Sequence, residues 1–89
     1  MSISIDILYL KAFDNYCYLI TENEKHIIPH TLKYVSGKLD SETFVKTHRS
    51  YIVNLDKISS IHTDSVMIGE LKIPLSYSNK ELVKQKLSL

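Results

Sequence analysis

Apolar and polar positions alternate along most of this chain. From Ile3 to Lys11 the residues Ile3, Ile5, Ile7 and Tyr9 alternate with Ser4, Asp6 and Leu8, a period of two that turns one face inward and predicts a strand. Asp14-Asn15 carries turn chemistry, and the aromatic and β-branched run from Tyr16 to Thr21 follows at hairpin distance. Glu22-Asn23-Glu24 makes a second polar turn before a short third strand, Lys25 to Ile28, which Pro29 stops. Proline there suits a strand end or an edge, because it donates no ladder hydrogen bond.

Between Thr31 and Leu39 the spacing changes. Leu32, Val35 and Leu39 fall at helical intervals, and Gly37 with Asp40-Ser41 closes the segment, so one short helix is predicted. The β pattern then returns at Phe44-Val45, Tyr51 to Val53, Lys57 to Ile61, Val66 to Ile68 and Leu71 to Leu75. Turns are expected at Asn54-Leu55-Asp56, Thr63-Asp64 and Gly69-Glu70. In the last strand Leu71, Ile73 and Leu75 alternate with Lys72, Pro74 and Ser76, which gives one buried face and, through Pro74, an edge position. Ser78-Asn79-Lys80-Glu81 fits a capping box, predicting a terminal helix from about Asn79 with Leu82, Val83 and Leu87 inward and Lys80, Lys84 and Lys86 outward. The predicted fold is mainly β, in small antiparallel sheets with one or two short helices.

At 89 residues, 44% hydrophobic and 24% charged, the chain has room for one core, and a single domain over residues 1 to 89 is expected. The formal charge of +1 gives no bulk signature of nucleic acid or membrane, so function must be sought locally. Residues 1 to 45 hold four lysines against six acids, whereas residues 46 to 89 hold six lysines and Arg49 against four acids, which makes the later half the better home for an anionic partner. The single cysteine, Cys17, cannot close an internal disulfide, no secretory signal pattern is present, and no apolar run nears the roughly 20 residues that span a bilayer. A cytoplasmic setting without membrane contact is the expectation.

The most informative stretch is Phe44 to Asn54. A polar cluster, Lys46-Thr47-His48-Arg49-Ser50, is bracketed by apolar patches able to anchor in a core, which would present cations on a rigid support. The planar guanidinium of Arg49 suits guanine edges or phosphate oxygens, and the hydroxyls of Thr47 and Ser50 can donate to phosphates. The plainer reading has Lys46 and Arg49 solvated at a strand end with His48 packed inward.

With those residues in view the chain resembles the LytTR family of bacterial DNA-binding domains over nearly its whole length. The resemblance rests on Asp6-Ile7-Leu8-Tyr9-Leu10-Lys11-Ala12 followed by Asp14-Asn15-Tyr16, on Thr31-Leu32 with Leu39, on His48-Arg49-Ser50-Tyr51-Ile52-Val53-Asn54, and on Ile73-Pro74-Leu75-Ser76. It implies an elongated β-sandwich of about ten short strands that meets double-stranded DNA through loops and regulates bacterial transcription. Carried onto this sequence, the loops are Asp14 to Cys17 with Asn15 and Tyr16, a second centred on Arg49 with Lys46, His48 and Ser50, and a third through Ser76, Tyr77, Ser78, Asn79 and Lys80. Arg49 would read bases, and His48 would be partly buried and brace its loop. Relatives commonly occupy direct repeats, which allows two copies, or a homodimer, on DNA. The sequence departs from the family at Tyr77, where a basic residue is common, and at Cys17, where some relatives carry a polar contact residue. The family usually carries this domain behind a phosphorylatable receiver; none lies within these residues, which leaves both a stand-alone regulator and an output domain open.

Other chemistries fit less well. His26, His30, His48 and His62 lack a partnering carboxylate pattern, and Pro29 breaks any shared helical face between the first two, so no metal or other cofactor is expected. His48 and Ser50 come with no orienting acid or oxyanion donors, so neither an enzyme nor a small-molecule substrate is expected. Tyr16, Tyr18, Tyr34 and Tyr51 suit core and sheet surface; a base-stacking platform would need several exposed on one face. The competing functional class is a protein-interaction β-sandwich that has lost DNA binding, which Tyr77 and the low net charge would allow.

Overall fold

A computed structural model describes residues 7–87, so the expected inward positions Ile3 and Ile5 lie outside the described residues. The strands are β1 (Ile7–Phe13), β2 (Tyr16–Thr21), β3 (Lys25–Ile28), β4 (Phe44–His48), β5 (Tyr51–Asn54), β6 (Ser60–Ile61), β7 (Ser65–Ile68) and β8 (Leu71–Pro74); the helices are α1 (Leu32–Ser36) and α2 (Tyr77–Leu87). They form a five-stranded antiparallel sheet in the order β3-β2-β1-β5-β4 and a three-stranded antiparallel sheet in the order β6-β7-β8. Both prolines fall where a missing N–H is tolerated: Pro74 on the edge strand β8, and Pro29 just past the edge strand β3.

Two cores lie on opposite faces of the larger sheet. On one face Leu32 and Val35 of α1 close over Ile7, Leu10, Cys17, Phe44 and Ile52. On the other, Leu8, Val45 and Val53 pack against Val66, Ile68 and Ile73 of the second sheet, Leu75 just past it and Val83 of α2. Burying each such aliphatic side chain is worth about 1.5–3 kcal/mol. The described residues extend 33 × 24 × 23 Å.

Local departures from the sequence pattern have physical causes. In β1 both Ile7 and Leu8 are buried, because alternation turns them to opposite faces of a sheet covered on both, and the register shift between Ile7 and Tyr9 then brings Tyr9 to the Leu8 side. The predicted strand from Lys57 is shortened to Ser60–Ile61, since Asn54 captures the Asp56 amide and winds Leu55–Lys57 into a 3-10 turn. α1 occupies less than the predicted span, with the Thr31 hydroxyl accepting from the Tyr34 amide at its start. α2 starts two residues before Asn79, which puts Ser78 inside the helix, so the predicted box at Ser78 and Glu81 is not the cap. Ser76 takes that place: its carbonyl accepts the Asn79 backbone N–H (3.1 Å) and its hydroxyl the Asn79 side-chain amide (2.8 Å). Val83 is sealed and Leu87 half-buried, but Leu82 faces outward. Leu71, expected inward, is also exposed.

Asn54 stitches the start of β1 to the end of β5. Its buried side-chain amide donates to the Ile7 carbonyl (2.8 Å) while its oxygen accepts the Asp56 N–H (3.0 Å). Asn54→Ala strands both groups, and urea unfolding should show a loss of about 1–3 kcal/mol with an unchanged slope.

Candidate nucleic-acid interface

Because every strand pair is antiparallel, successive connections alternate between the two ends of the molecule. One end collects the β1–β2, β4–β5 and β6–β7 turns and the β8–α2 junction. Two of them are two-residue turns, Asp14-Asn15 with Phe13 opposite Tyr16 and Arg49-Ser50 with His48 opposite Tyr51. Two-residue hairpin turns favour positive φ to match strand twist. Neither Arg49 nor Ser50 adopts it, and the ladder instead shifts register between Lys46 and His48, leaving Thr47 as an extra residue. Thr47 is fully buried, its hydroxyl has no hydrogen-bond partner among the described residues, and its carbonyl leaves the ladder.

That carbonyl accepts the Ser76 N–H at 2.7 Å. On the other flank, the Ser50 carbonyl accepts the Ala12 N–H at 2.8 Å, within two residues of the Asp14-Asn15 turn, where Asp14 takes a φ of 57°. The β6–β7 turn joins the row through Leu75, whose N–H donates to the Asp64 carbonyl at 2.9 Å. Main-chain hydrogen bonds thus tie four connections into one ridge, and this brings together all three loops carried over from the resemblance.

Within the ridge, Arg49 is exposed and His48 and Ser50 are half-buried. The Ser50 N–H donates to His48 Nδ1 at 3.2 Å, and the ring meets Tyr51 edge-on at 5.9 Å. His48 therefore braces the turn, as expected. Asn15 is exposed, and Tyr16 packs between Phe13 (5.4 Å) and Tyr18 (5.8 Å). Tyr77 is 92% exposed, Ser78 is open with its hydroxyl 3.4 Å from that of Ser76, and Asn79 and Lys80 are half-buried. Lys46 is apart from the others: strand alternation puts it on the α1 face, beside Ser36, Leu39 and Ser41. Cys17 is fully buried under α1, so the first loop ends at Tyr16 and the thiol is not a surface contact.

Charge is sorted by the same alternation. The far-end connections carry Glu22, Glu24, Asp40, Glu42, Asp56 and Glu70 together with Lys25, Lys57 and, through its bond to the Ser41 carbonyl, Lys86, whereas the ridge end has Asp14, Asp64 and Glu81 beside Arg49 and Lys80. The first turn of α2 holds no acid, so the positive pole of its dipole is uncompensated there. Among the described residues no group of three or more His, Cys, Asp or Glu could hold a metal ion, and no helix is long and apolar enough to cross a membrane.

The family model for the LytTr DNA-binding domain matches residues 3–88. This chain belongs to that family. The LytTr chain is 30% identical over 91 residues to the transcriptional regulatory protein YpdB of Escherichia coli K12, covering 94% of this chain and 37% of that protein. It is 27% identical to the sensory transduction protein LytT of Bacillus subtilis, again over 94% of the chain and 37% of the relative. It thus spans little more than a third of the length of these relatives. The solved LytTr DNA-binding domain of a Bacillus cereus response regulator superposes with a TM-score of 0.84 at 24% identity, covering 94% of this chain and 83% of that one, which establishes a shared fold. Eight strands are present among the described residues, where the resemblance implied about ten.

Burial pushes the Cys17 thiol above its ordinary range, so at neutral pH the thiolate is both scarce and covered. A maleimide or disulfide reagent should label native protein far more slowly than protein in guanidinium. Equal rates would contradict that burial.

Proposed function

We propose that this LytTr domain binds duplex DNA sequence-specifically through the ridge of turns, as a bacterial transcription regulator or the output domain of one. Arg49 reads a base edge or clamps a phosphate from the β4–β5 turn, Tyr77 meets the backbone or stacks, and Asn15, Ser50, Ser76, Ser78 and Asn79 supply neutral polar contacts. Lys80 and, from the sheet flank, Lys46 add charge. His48 serves chiefly to hold the turn.

The observation that carries this reading is the sorting of charge along the long direction of the strands. A net charge of +1 is weak attraction for DNA, but with six of the ten acids in the far-end connections the ridge, where Arg49 and Tyr77 stand exposed, is left open to phosphates. Family membership and the regulatory names of its relatives point the same way. The protein-interaction alternative draws only on Tyr77 and the net charge, and both sit comfortably within a DNA contact. The domain occupies two neighbouring direct repeats, one copy per repeat, and its cellular setting is the cytoplasm.

Selection from a random duplex library at moderate salt should enrich one motif, present twice in the same orientation. On the selected site Arg49→Ala should cost about 1–3 kcal/mol and relax preference at one or two positions. Enrichment of no motif, or an Arg49→Ala protein that binds like the parent, would remove the ridge from DNA recognition.

A further inference from the structure

We propose that the cleft between the β6–β7 turn and α2 is a second phosphate-gripping site, in which Lys80 and Lys84, with Thr63 and His62, hold a phosphodiester of the same duplex beside the Arg49 ridge. This rests on the DNA reading above and widens its footprint to a fourth connection.

The cleft has a volume of about 420 Å³, is open to solvent, and is lined by Ile61, His62, Thr63, Lys80 and Lys84. Lys80 and Lys84 stand one helical turn apart on α2. Both are half-buried, consistent with aliphatic stems lying on the Ile61 wall and ammonium groups reaching for water. Two like charges at this spacing repel each other by a few tenths of a kcal/mol, about the size of a helical ion pair with its sign reversed. An anion between them reverses the balance.

No acid lines the opening. Asp64 contributes to a separate cleft with Ser65, Lys72 and Pro74, and Glu81 is exposed on α2 outside the lining. The His62 ring is held by a 3.0 Å hydrogen bond between Nε2 and the Ser60 hydroxyl, and Thr63 is exposed at the bend with a hydroxyl able to donate. The site is anchored to the ridge: Asp64 accepts from Leu75, and the next residue, Ser76, donates to Thr47. Lys80 stands one turn from the β8–α2 junction and Lys84 continues the cleft one turn further along α2, so a strand lying across Arg49 and Tyr77 meets Lys80 first and Lys84 beyond it.

The openness of the cleft decides between a free anion and a tethered one. A small phosphate here would keep most of its hydration shell. A phosphate carried by a duplex already bound at the ridge arrives at high effective concentration and releases condensed counterions as it docks.

The test uses a duplex selected by the parent protein, with affinities measured across a range of salt for the parent, Lys84→Ala, Thr63→Ala and Gln85→Ala, the last an exposed neighbour outside the lining. Thermal unfolding of each variant separates misfolding from lost contacts. Losing one phosphate contact at 0.15 M salt should lower affinity about fivefold and flatten the log–log salt dependence by about one unit. Lys84→Ala should do this on selected and unselected duplexes alike, with a smaller drop for Thr63→Ala. Methylphosphonate replacement of the gripped phosphate should weaken the parent and leave Lys84→Ala unaffected. A Lys84→Ala protein matching Gln85→Ala in affinity and slope would overturn the cleft while leaving the ridge intact, and shifts of His62 and Thr63 resonances with inorganic phosphate alone would then make it a free-anion site. A parent that binds no duplex would overturn both readings.

Discussion

The bond from the Ser76 amide to the Thr47 carbonyl holds the two sheets of this domain in a fixed relation at the ridge end. It exists because β4 carries one residue more than β5 can pair, so that the Thr47 carbonyl points out of the ladder. An amide at a buried junction must find an acceptor or forfeit a hydrogen bond's worth of stability. In an ideal two-residue hairpin the Thr47 carbonyl would stay within its own sheet, and Ser76 would look for another acceptor at the point where β8 gives way to α2. The bulge thus does two jobs: it absorbs the strain of a turn without positive φ, and it docks the second sheet and the start of α2 against the first.

From that junction the polarity of the molecule follows. Antiparallel strands of two to seven residues send every second connection to the same end, so a sequence with nearly balanced charge can fold into a body that is not balanced in space. The connections rich in Glu and Asp are those at the far end, and those carrying Arg49, Tyr77 and Lys80 share the other. Interactions between exposed charges fade over roughly 8 Å at physiological salt. The acids of the far-end turns are separated from the ridge by the length of the strands, more than that screening distance, so they barely weaken the field at the ridge.

What the sequence revealed was whatever depends on neighbours along the chain. The β1–β2 and β7–β8 hairpins, the stop at Pro29, the Thr31 helix start and the shape of the Arg49 segment are set by local turn chemistry and period, and they stand as read. What it hid depends on residues far apart. Leu8 fits the polar phase of an alternating strand only until α1 and the second sheet cover both faces of β1. Ser78 and Ser76 are each three residues ahead of a side chain able to reach back, Glu81 and Asn79 respectively, and only the tie to Thr47 selects Ser76. The first loop carried over from the resemblance ends at Cys17, but the pairing of Ala12 with Cys17 puts that residue on the α1 side. The His62 to Lys84 cleft joins segments about twenty residues apart through one backbone bond at Leu75, and no local pattern signals it.

Tying the turns by their main chains also sets how such a surface can recognise DNA. Ordering a loop on binding costs about 1–2 kcal/mol of backbone entropy per residue, which would cancel the gain from one good polar contact. Here that ordering belongs to folding, since Ser50, Thr47 and Asp64 each give their carbonyl to a neighbouring segment before any ligand arrives. Only side-chain rotamers remain to be fixed, and Arg49 and Tyr77 are the long ones left free. A few contacts made from such a frame bind more tightly than the same contacts made from mobile loops. A short turn cannot, however, follow the groove as an inserted helix does, so each one samples a small number of base pairs. Specificity must then come from the fixed spacing between turns, and for this domain that spacing is set by the bonds at Ser50, Thr47 and Asp64.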